Sequence, residues 1–277
     1  MAVGKTIVIT GASDGVGRAA ARALASLGHR AVIVGRSQDK TAAVAAEVGA
    51  PHHCCDFDSL DDVRSLAAEL LNRYDTIDVL CNNAGLQLSG ARQLTRDGHE
   101  RTLQVNHLAP VLLTRLLLDR LIESKAAVIA TSSSAARMVK LHIDDLNGET
   151  RFRALHAYSE TKLANVLFTR ELHRRYRSAG LAAASFEPGS VASNFANDST
   201  AVMRAVFHSP LRKLLRTPEQ GADTLVWLAD SVPGVDWPSG EHFRKRRVAK
   251  THRAADDVEL RKVLWQRTDD MLDWRER

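Results

Sequence analysis

The stretch Thr6-Ile-Val-Ile-Thr10-Gly11-Ala-Ser-Asp-Gly15-Val-Gly17 decides the fold of this chain. Its first five residues are rich in β-branched side chains, which is typical of a buried parallel strand. The glycines then permit a tight turn, and the Ala- and Leu-rich run from Arg18 to Leu27, which ends at Gly28, predicts a helix. A strand, a glycine loop and a helix in this order form a phosphate-binding unit, because the helix N-terminus offers unpaired N–H groups to a pyrophosphate. The alternative is a set of turn glycines without a ligand.

Strands and helices alternate along the rest of the chain. The patterns predict further strands at 31–34, 52–55, 77–80, 127–130, 182–186 and 241–243. They predict helices at 41–48, 60–71, 100–122, 218–228 and 256–274, and one over 163–176 that continues the helix of Tyr158 and Lys162. This alternation predicts an α/β fold, a single-domain Rossmann-type doubly wound parallel sheet with helices on both faces. Within a domain spanning 1–277, we expect 1–130 to serve mainly the cofactor, 131–250 mainly catalysis and substrate, and 251–277 to form a helical tail.

Composition restricts the functional classes. The chain has 277 residues, of which 44% are hydrophobic and 26% charged, which is ordinary for a globular protein. The formal net charge of +5 suits anionic small molecules and does not by itself indicate nucleic acid. The basic run Arg244-Lys-Arg-Arg247 has no interleaved aromatic residues and no reading helix, so we interpret it as a solvated loop and expect no nucleic-acid partner.

The location of the protein follows from a few further features. Two of the three cysteines are adjacent, which argues against a disulfide framework and for a reducing compartment. No apolar run reaches the roughly 20 residues that span a bilayer, and the first strand starts at Lys5, which leaves no room for a signal sequence. We therefore expect a cytoplasmic protein without a transmembrane segment.

The second and third strands bear on cofactor and metal. An acidic residue that holds the ribose 2′-hydroxyl of NAD is expected at the end of the second strand, but Gly35 and Arg36 stand there. An arginine can bind a 2′-phosphate, which favours NADP(H) over NAD(H); the alternative is a solvated loop arginine. The run His52-His-Cys-Cys55 could hold a metal, but a strand sends neighbours to opposite faces and no second cluster completes a tetrahedral site. We interpret it as core and predict no metal site; Asp56 follows at the ligand-binding edge.

Tyr158 and Lys162 stand four residues apart on a predicted helix, so both face the same way. A nearby ammonium favours the phenolate and would lower the tyrosine pKa from about 10. Such a pair could pass a proton to or from an alcohol or carbonyl oxygen. The spacing alone is weak evidence, since it recurs by chance in many helices.

Three motifs in order make the evidence specific. Thr10–Gly17, Asn82-Asn83-Ala84-Gly85 and Tyr158-x-x-x-Lys162 resemble the short-chain dehydrogenase/reductase family, with matching spacing from about residue 5 to 245. The segments Val105–Leu108, His142–Glu149 and Ser159–Asn165 are similar to retinol-dehydrogenase-like and WW-domain-oxidoreductase-like members. Long helices of this family often pair subunits, so the resemblance also allows a homo-oligomer.

The resemblance implies specific site residues. It points to Asn106, Ser133, Tyr158 and Lys162 as catalytic, with Ser132 and Ser134 as alternatives to Ser133. Pro110 has no N–H for the Asn106 carbonyl, which could hold a water in a proton relay to the lysine; the alternative is a kinked helix with a satisfied core asparagine. The implied cofactor-binding residues are Gly11, Ser13, Asp14, Gly15, Val16, Gly17, Arg36, Asp56, Phe57, Asn83, Ala84, Gly85, Tyr158, Lys162, Pro188, Gly189, Val191 and Ser193.

The sequence thus predicts an NADP(H)-dependent oxidoreductase that transfers a hydride between the nicotinamide and a carbonyl or alcohol. An apolar segment over 197–216 is either core or a lid, and a lid would suit a lipophilic substrate. The alternatives are a non-catalytic dinucleotide-binding regulator, an NAD-preferring alcohol dehydrogenase of the same fold, and a basic partner-binding protein.

Overall fold

The computed structural model describes residues 4–191 and 215–275. The strands are β1 Thr6–Thr10, β2 Arg30–Gly35, β3 His52–Cys54, β4 Val79–Asn82, β5 Ala127–Thr131, β6 Ala182–Phe186, β7 His242–Arg244 and β8 Arg247–Val248. They form one eight-stranded sheet in the order β3-β2-β1-β4-β5-β6-β7-β8. Neighbours from β3 to β7 pair in parallel, and β8 joins the edge antiparallel. The predicted Rossmann-type doubly wound sheet is confirmed.

Helices cover both faces of the sheet. They are α1 Gly15–Ser26, α2 Gln38–Val48, α3 Leu60–Arg73, α4 Arg101–Leu103, α5 Ala109–Leu116, α6 Leu118–Glu123, α7 Ala154–Tyr176, α8 Pro218–Asp230 and α9 Val258–Met271. On one face α1 packs against α8, and on the other α3 packs against α5 and α7 against α9. The alternation within β1 separates the two cores: Ile7 and Ile9 point into one apolar cluster and Val8 into the other, all fully buried.

The predicted helix over 100–122 is interrupted. Between α4 and α5 the chain makes a π-helical turn, Gln104–Leu108, in which the Ala109 N–H bonds to the Gln104 carbonyl five residues back. Pro110 has no N–H for the next helical bond, so the widened turn comes where the α-helical ladder would fail. A second break falls at Leu117, between α5 and α6.

The basic run is exposed, as expected, but it is a strand hairpin and not a loop. It forms the β7–β8 hairpin, with Lys245 and Arg246 at the turn in left-handed conformations (φ of 51° and 59°). Arg244 Nε lies 3.1 Å from the carboxylate of Glu187, and Arg246 pairs with Asp223.

The predicted helical tail is present as α9, which packs back on the body through the buried Leu264 and Leu272, while Val263 is 43% exposed. None of the described helices is both long enough and apolar enough to cross a bilayer.

Candidate active site

The glycine loop joins β1 to α1 at the carboxyl edge of the sheet. Asp14 caps α1, and its carboxylate accepts a hydrogen bond from the Gly15 N–H at 2.7 Å. A Cβ at Gly11 would stand 2.8 Å from the Ala84 Cα, and one at Gly17 would stand 2.3 Å from the Gly11 carbonyl oxygen. The loop therefore has room for backbone alone at these positions, and the first turn of α1 stays open to a phosphate.

The segment after β4 is tied to the end of β1. The Thr10 hydroxyl accepts from the backbone N–H groups of Asn83 and Ala84, both at 3.0 Å. The Asn83 side-chain amide donates to the Thr10 carbonyl at 2.9 Å. Asn83 thus ties the segment after β4 to the end of β1. The strand order reverses between these two strands, and ligands bind at such a point in open α/β sheets.

The end of β2 carries positive charge. A Cβ at Gly35 would meet Thr41 Oγ1 at 2.4 Å and Ser13 Cβ at 2.9 Å, so no side chain fits there without a shift. Arg36 follows, and Lys40 stands in the first turn of α2, which Ser37 caps. Both cations are exposed and line the cleft.

One open cleft of about 420 Å³ gathers nearly all of the predicted residues. The predicted residues that line it are Gly11, Ser13, Asp14, Gly15, Val16, Gly17, Arg36, Asp56, Phe57, Asn83, Ala84, Gly85, Ser133, Tyr158, Lys162, Pro188, Gly189 and Val191. Asn106 is fully buried and is not among the lining residues, and Ser193 lies outside the described residues. The individual roles in binding and catalysis stay predictions.

The three adjacent serines after β5 have different environments. Ser132 is buried, and its hydroxyl donates to the Lys162 carbonyl at 2.7 Å. Ser134 is exposed. Ser133 caps the short 3-10 turn Ser134–Arg137 and makes a side-chain hydrogen bond with Tyr158. The geometry therefore pairs Ser133 with the tyrosine.

Tyr158 and Lys162 lie together on α7, both buried. The Lys162 ammonium lies 5.6 Å from the centre of the Tyr158 ring and donates to the Thr131 carbonyl at 3.3 Å. Burial raises the pKa of Tyr158 to about 12, and the hydrogen bond with Ser133 lowers that pKa only in part. Burial also lowers the pKa of Lys162 to about 8. The expectation that a nearby ammonium brings the tyrosine pKa below its usual value is therefore not met, because burial has the larger effect and the group that lowers this pKa is the Ser133 hydroxyl.

Asn106 is buried behind the cleft and fixes the backbone of Leu86, which lines it. Its side-chain oxygen accepts from the Leu86 N–H at 2.7 Å, and its amide donates to the Leu86 carbonyl at 2.9 Å. We expected its backbone carbonyl to be free to hold a water. Instead, the Asn165 amide donates to this carbonyl at 3.0 Å. The same Asn165 amide reaches the Thr131 carbonyl at 3.3 Å, which Lys162 also contacts.

The turn after β6 closes the far end of the cleft. Gly189 takes a left-handed conformation (φ of 83°), and Arg216 donates to the Pro188 carbonyl at 2.9 Å. Val191 packs where a Cβ on Gly221 of α8 would clash at 2.6 Å. The apolar segment over 197–216, which we expected to be either core or a lid, falls almost wholly outside the described residues.

The expectation that the His/Cys run is core is right only in part, because His53 and Cys55 are buried while His52 is half-buried and Cys54 is exposed. His53 is buried, with Nδ1 2.8 Å from a Glu69 oxygen and Nε2 3.3 Å from the Tyr74 hydroxyl. The Cys54 thiol donates to Gln38, and Cys55 is buried against the core.

Sequence reasoning missed several lining residues, namely Ser37, Lys40, Leu86, Gln87 and Thr131. Lys40 could have been found: it lies four residues after Arg36, one turn into a helix whose start Ser37 marks as an N-cap. Asn165 gave no such signal, since its role depends on a carbonyl 59 residues away in sequence.

Comparison with known proteins adds to this geometry. The sequence matches the family model for short chain dehydrogenases over residues 5–203. It is 39% identical to the proposed daunorubicin C-13 ketoreductase DnrU of Streptomyces sp. (strain C5), over 95% of this chain and 91% of that protein. It is 34% identical to retinol dehydrogenase 11 of Homo sapiens, over 97% of this chain and 86% of that protein. A crystal structure of a protein from Mycobacterium paratuberculosis superposes with a TM-score of 0.78 at 30% identity, covering 98% of this chain and 94% of the other.

The residues present fit a dinucleotide. Backbone alone fits at Gly11 and Gly17 beside the open first turn of α1, and a Cβ at Gly85 would come within 3.1 Å of both Asn106 Oδ1 and Lys162 Nζ. The cleft runs from this loop to the tyrosine and lysine. The chain belongs to the short-chain dehydrogenase family, whose members are NAD(P)-binding oxidoreductases of alcohol and carbonyl groups.

Proposed function

We propose that this protein is an NADP(H)-dependent oxidoreductase that transfers a hydride between the nicotinamide and the carbonyl or alcohol carbon of a lipophilic substrate. The observation that carries this proposal is the half-buried Ser133 beside the buried Tyr158 and Lys162, all three lining the cleft that begins at the glycine loop. The bound cofactor would supply or accept the hydride. Residues of 1–130 and of 131–250 line the same cleft, which supports the two functional parts of one domain.

The side chains have separate tasks in this proposal. Tyr158 is protonated at neutral pH because its pKa is raised to about 12, so it acts as the proton donor when a carbonyl is reduced. Ser133, which hydrogen-bonds with Tyr158, positions the substrate oxygen beside the phenol. Lys162 lies under the tyrosine and holds the cofactor ribose. Asn106 acts by positioning the backbone of Leu86, which lines the cleft.

The charge around β2 supports NADP(H). The position at the strand end that would carry an acidic ribose ligand is Gly35, where a side chain has no room. The exposed cations Arg36 and Lys40 border the same part of the cleft and could pair with a 2′-phosphate.

Exposed apolar side chains close in sequence to the catalytic residues support a lipophilic substrate. Met138, just after the Ser133 turn, is 79% exposed, and Leu155, one turn before Tyr158, is 55% exposed. The relatives named above carry the names of a daunorubicin ketoreductase and a retinol dehydrogenase, both for substrates with large apolar parts. We place the reaction in the cytoplasm, which the free thiols of Cys54, Cys55 and Cys81 support.

Single substitutions test the catalytic assignment. We expect Tyr158→Phe and Ser133→Ala to lower the kcat for NADPH-dependent reduction of apolar aldehydes and ketones by about 100- to 10,000-fold, since each removes a positioned hydroxyl. NADPH binding, followed by fluorescence titration, should stay within a factor of about three. Ser134→Ala is the matched control and should keep wild-type turnover, because Ser134 is exposed. A wild-type protein that binds NADPH and reduces nothing in a broad carbonyl panel would favour the non-catalytic regulator.

Charge removal tests the cofactor preference. Arg36→Gln and Lys40→Gln should each raise the Kd for NADPH about 10-fold or more and leave the Kd for NADH nearly unchanged, because NADH has no 2′-phosphate. Arg22→Gln removes the same charge from an exposed site paired with Glu47 and should change neither value. Equal weakening for the two nucleotides would argue against NADP(H) selectivity.

A further inference from the structure

His142, His156 and Glu160 form a compact group on the far side of the catalytic helix. His156 and Glu160 are four residues apart on α7, with His156 Nδ1 3.1 Å from Glu160 Oε2. His142 reaches the other oxygen from the segment before α7, with its Nδ1 3.0 Å from Glu160 Oε1. In the part of the chain that the structure describes, these are the one group of three His, Cys, Asp or Glu side chains whose ligand atoms lie within 4.8 Å of one another.

One ligand atom of each of the three residues lies within 4.8 Å of the other two. Zinc binds imidazole nitrogen and carboxylate oxygen at about 2.0–2.2 Å, so two ligands of a tetrahedral ion stand about 3.4 Å apart. Each imidazole Nδ1 lies at hydrogen-bond distance from a different oxygen of Glu160, so an ion would replace these two contacts once side-chain rotations turn one ligand atom of each residue toward it. Two histidines and one glutamate are a donor set that zinc uses in three-ligand sites with a fourth, open position.

The carboxylate is also held in place, and the group is accessible. The His142 backbone N–H donates to Glu160 Oε1 at 2.7 Å, which orients the ligand oxygen independently of the imidazoles. The side chains of His142 and His156 are 49% and 34% exposed, while that of Glu160 is 15% exposed. An ion can therefore reach the group from solvent and complete its coordination with water.

We propose that His142, His156 and Glu160 bind a divalent transition-metal ion, with Zn²⁺ as the best-fitting member of that class. The ion fastens the segment that leads from the Ser133 turn to α7 onto the first turns of α7 itself. Tyr158 and Lys162 project from the same turns toward the cleft, so the site is separate from the cofactor pocket. It stands independently of the proposed reaction.

Calorimetric titration of ZnCl₂ into the full chain, freed of metal with EDTA and without nucleotide, tests this site. We expect one equivalent to bind with a Kd of about 1 µM or tighter. His156→Ala and Glu160→Gln should each weaken binding at least about 10-fold. Glutamine keeps an oxygen for the His142 N–H, so this variant removes the charge and preserves the local turn. Co²⁺ should show the visible absorption of a low-coordinate site in the wild type and lose it in both variants.

Folding and specificity have their own controls. Circular dichroism without metal should be the same for the wild type and both variants, and excess zinc should raise the Tm of the wild type alone, by about 3–6 °C at 100 times the Kd. His52→Ala removes a histidine from the other His/Cys-rich segment and should leave zinc binding unchanged. The proposal is overturned if the wild type binds no zinc up to 100 times that expected Kd. It is equally overturned if His52→Ala abolishes binding, or if the His156 and Glu160 variants bind as the wild type does.

Discussion

The amine of Lys162 is buried, and this environment disfavours its charged form. The side chain is 3% exposed, and its ammonium donates to the Thr131 carbonyl at 3.3 Å. Burial lowers its pKa from 10.5 to about 8, so the folded protein releases this proton at a lower pH than the unfolded chain does. Below pH 8 the folded state holds a buried ammonium and bears the full desolvation cost.

This shift predicts a stability change with a definite sign. Between pH 8 and 10.5 the unfolded chain binds more protons at this lysine than the folded one, so the free energy of unfolding rises with pH across that window. From pH 7 to 9.5 the gain is about 2 kcal/mol for the wild type relative to Lys162→Met, which has no titrating group. Urea unfolding of both proteins without nucleotide measures it.

Taking the difference between the two proteins removes the other titrating groups, such as Lys5, whose pKa burial also lowers. Parallel stability curves for the wild type and Lys162→Met over this range would mean that the lysine is solvated. In that case its amine could not be the buried partner of Tyr158.

At the scale of single residues, the sequence predicted which side chains form the candidate active site but not their pKa values or hydrogen-bond partners. Spacing placed Tyr158 and Lys162 on one face of a helix, which the structure confirms. It could not predict that burial would raise the tyrosine pKa, because burial depends on residues distant in sequence. It also could not separate three consecutive serines, whose different partners arise only when β5 meets α7.

At the scale of elements, strands were easier to predict than helix irregularities. β1 and β6 have the predicted bounds, because a β-branched or Ala-rich run flanked by turn residues has one placement in a parallel sheet. The π-helical turn Gln104–Leu108 was missed although Pro110 signalled a lost hydrogen bond. The orphaned carbonyl of Asn106 is satisfied by Asn165 from α7, a tertiary contact that local sequence cannot show.

The hydrogen bond from Asn165 to the Asn106 carbonyl predicts a large loss of stability for a substitution that keeps the size of the side chain. Asn165→Leu leaves the Asn106 and Thr131 carbonyls without this donor and His107 Nδ1 without its 3.1 Å partner, all in buried surroundings. We expect a loss of about 2–4 kcal/mol in the free energy of unfolding.

Thr169→Val, one turn further along α7, is the matched control for urea denaturation. The Thr169 hydroxyl donates at 2.8 Å to a carbonyl of its own helix, the Asn165 carbonyl, so its removal should cost less than about 1 kcal/mol. Equal costs for the two variants would show that the π turn does not depend on Asn165.

At the scale of the whole molecule, α9 is fastened to the body at a distance from the cleft. The Arg115 guanidinium bonds both carboxylate oxygens of Asp269 at 2.6 Å and lies 3.8 Å from the centre of the Trp265 ring. Next to Asp269, the Thr268 hydroxyl lies 3.1 Å from Nε2 of His107, whose pKa burial lowers to about 4, so this histidine is neutral. The His107 Nδ1–H then donates to Asn165, which links the tail to the groups around Lys162.

The buried pair predicts strong non-additivity. Arg115→Met removes the guanidinium that bonds both oxygens of the buried Asp269 carboxylate, and we expect a loss of about 3–5 kcal/mol in the free energy of unfolding. The double variant Arg115→Met, Asp269→Leu removes both charges and should be more stable than Arg115→Met alone, since an apolar pair of similar size needs no solvation. Urea denaturation of the wild type, both single variants and the double variant gives the coupling energy. If the losses of unfolding free energy in the two single variants simply add up to that of the double variant, the Arg115–Asp269 pair is solvated in the folded protein. The apolar and aromatic contacts of Leu264, Trp265 and Leu272 then hold α9 without this ion pair.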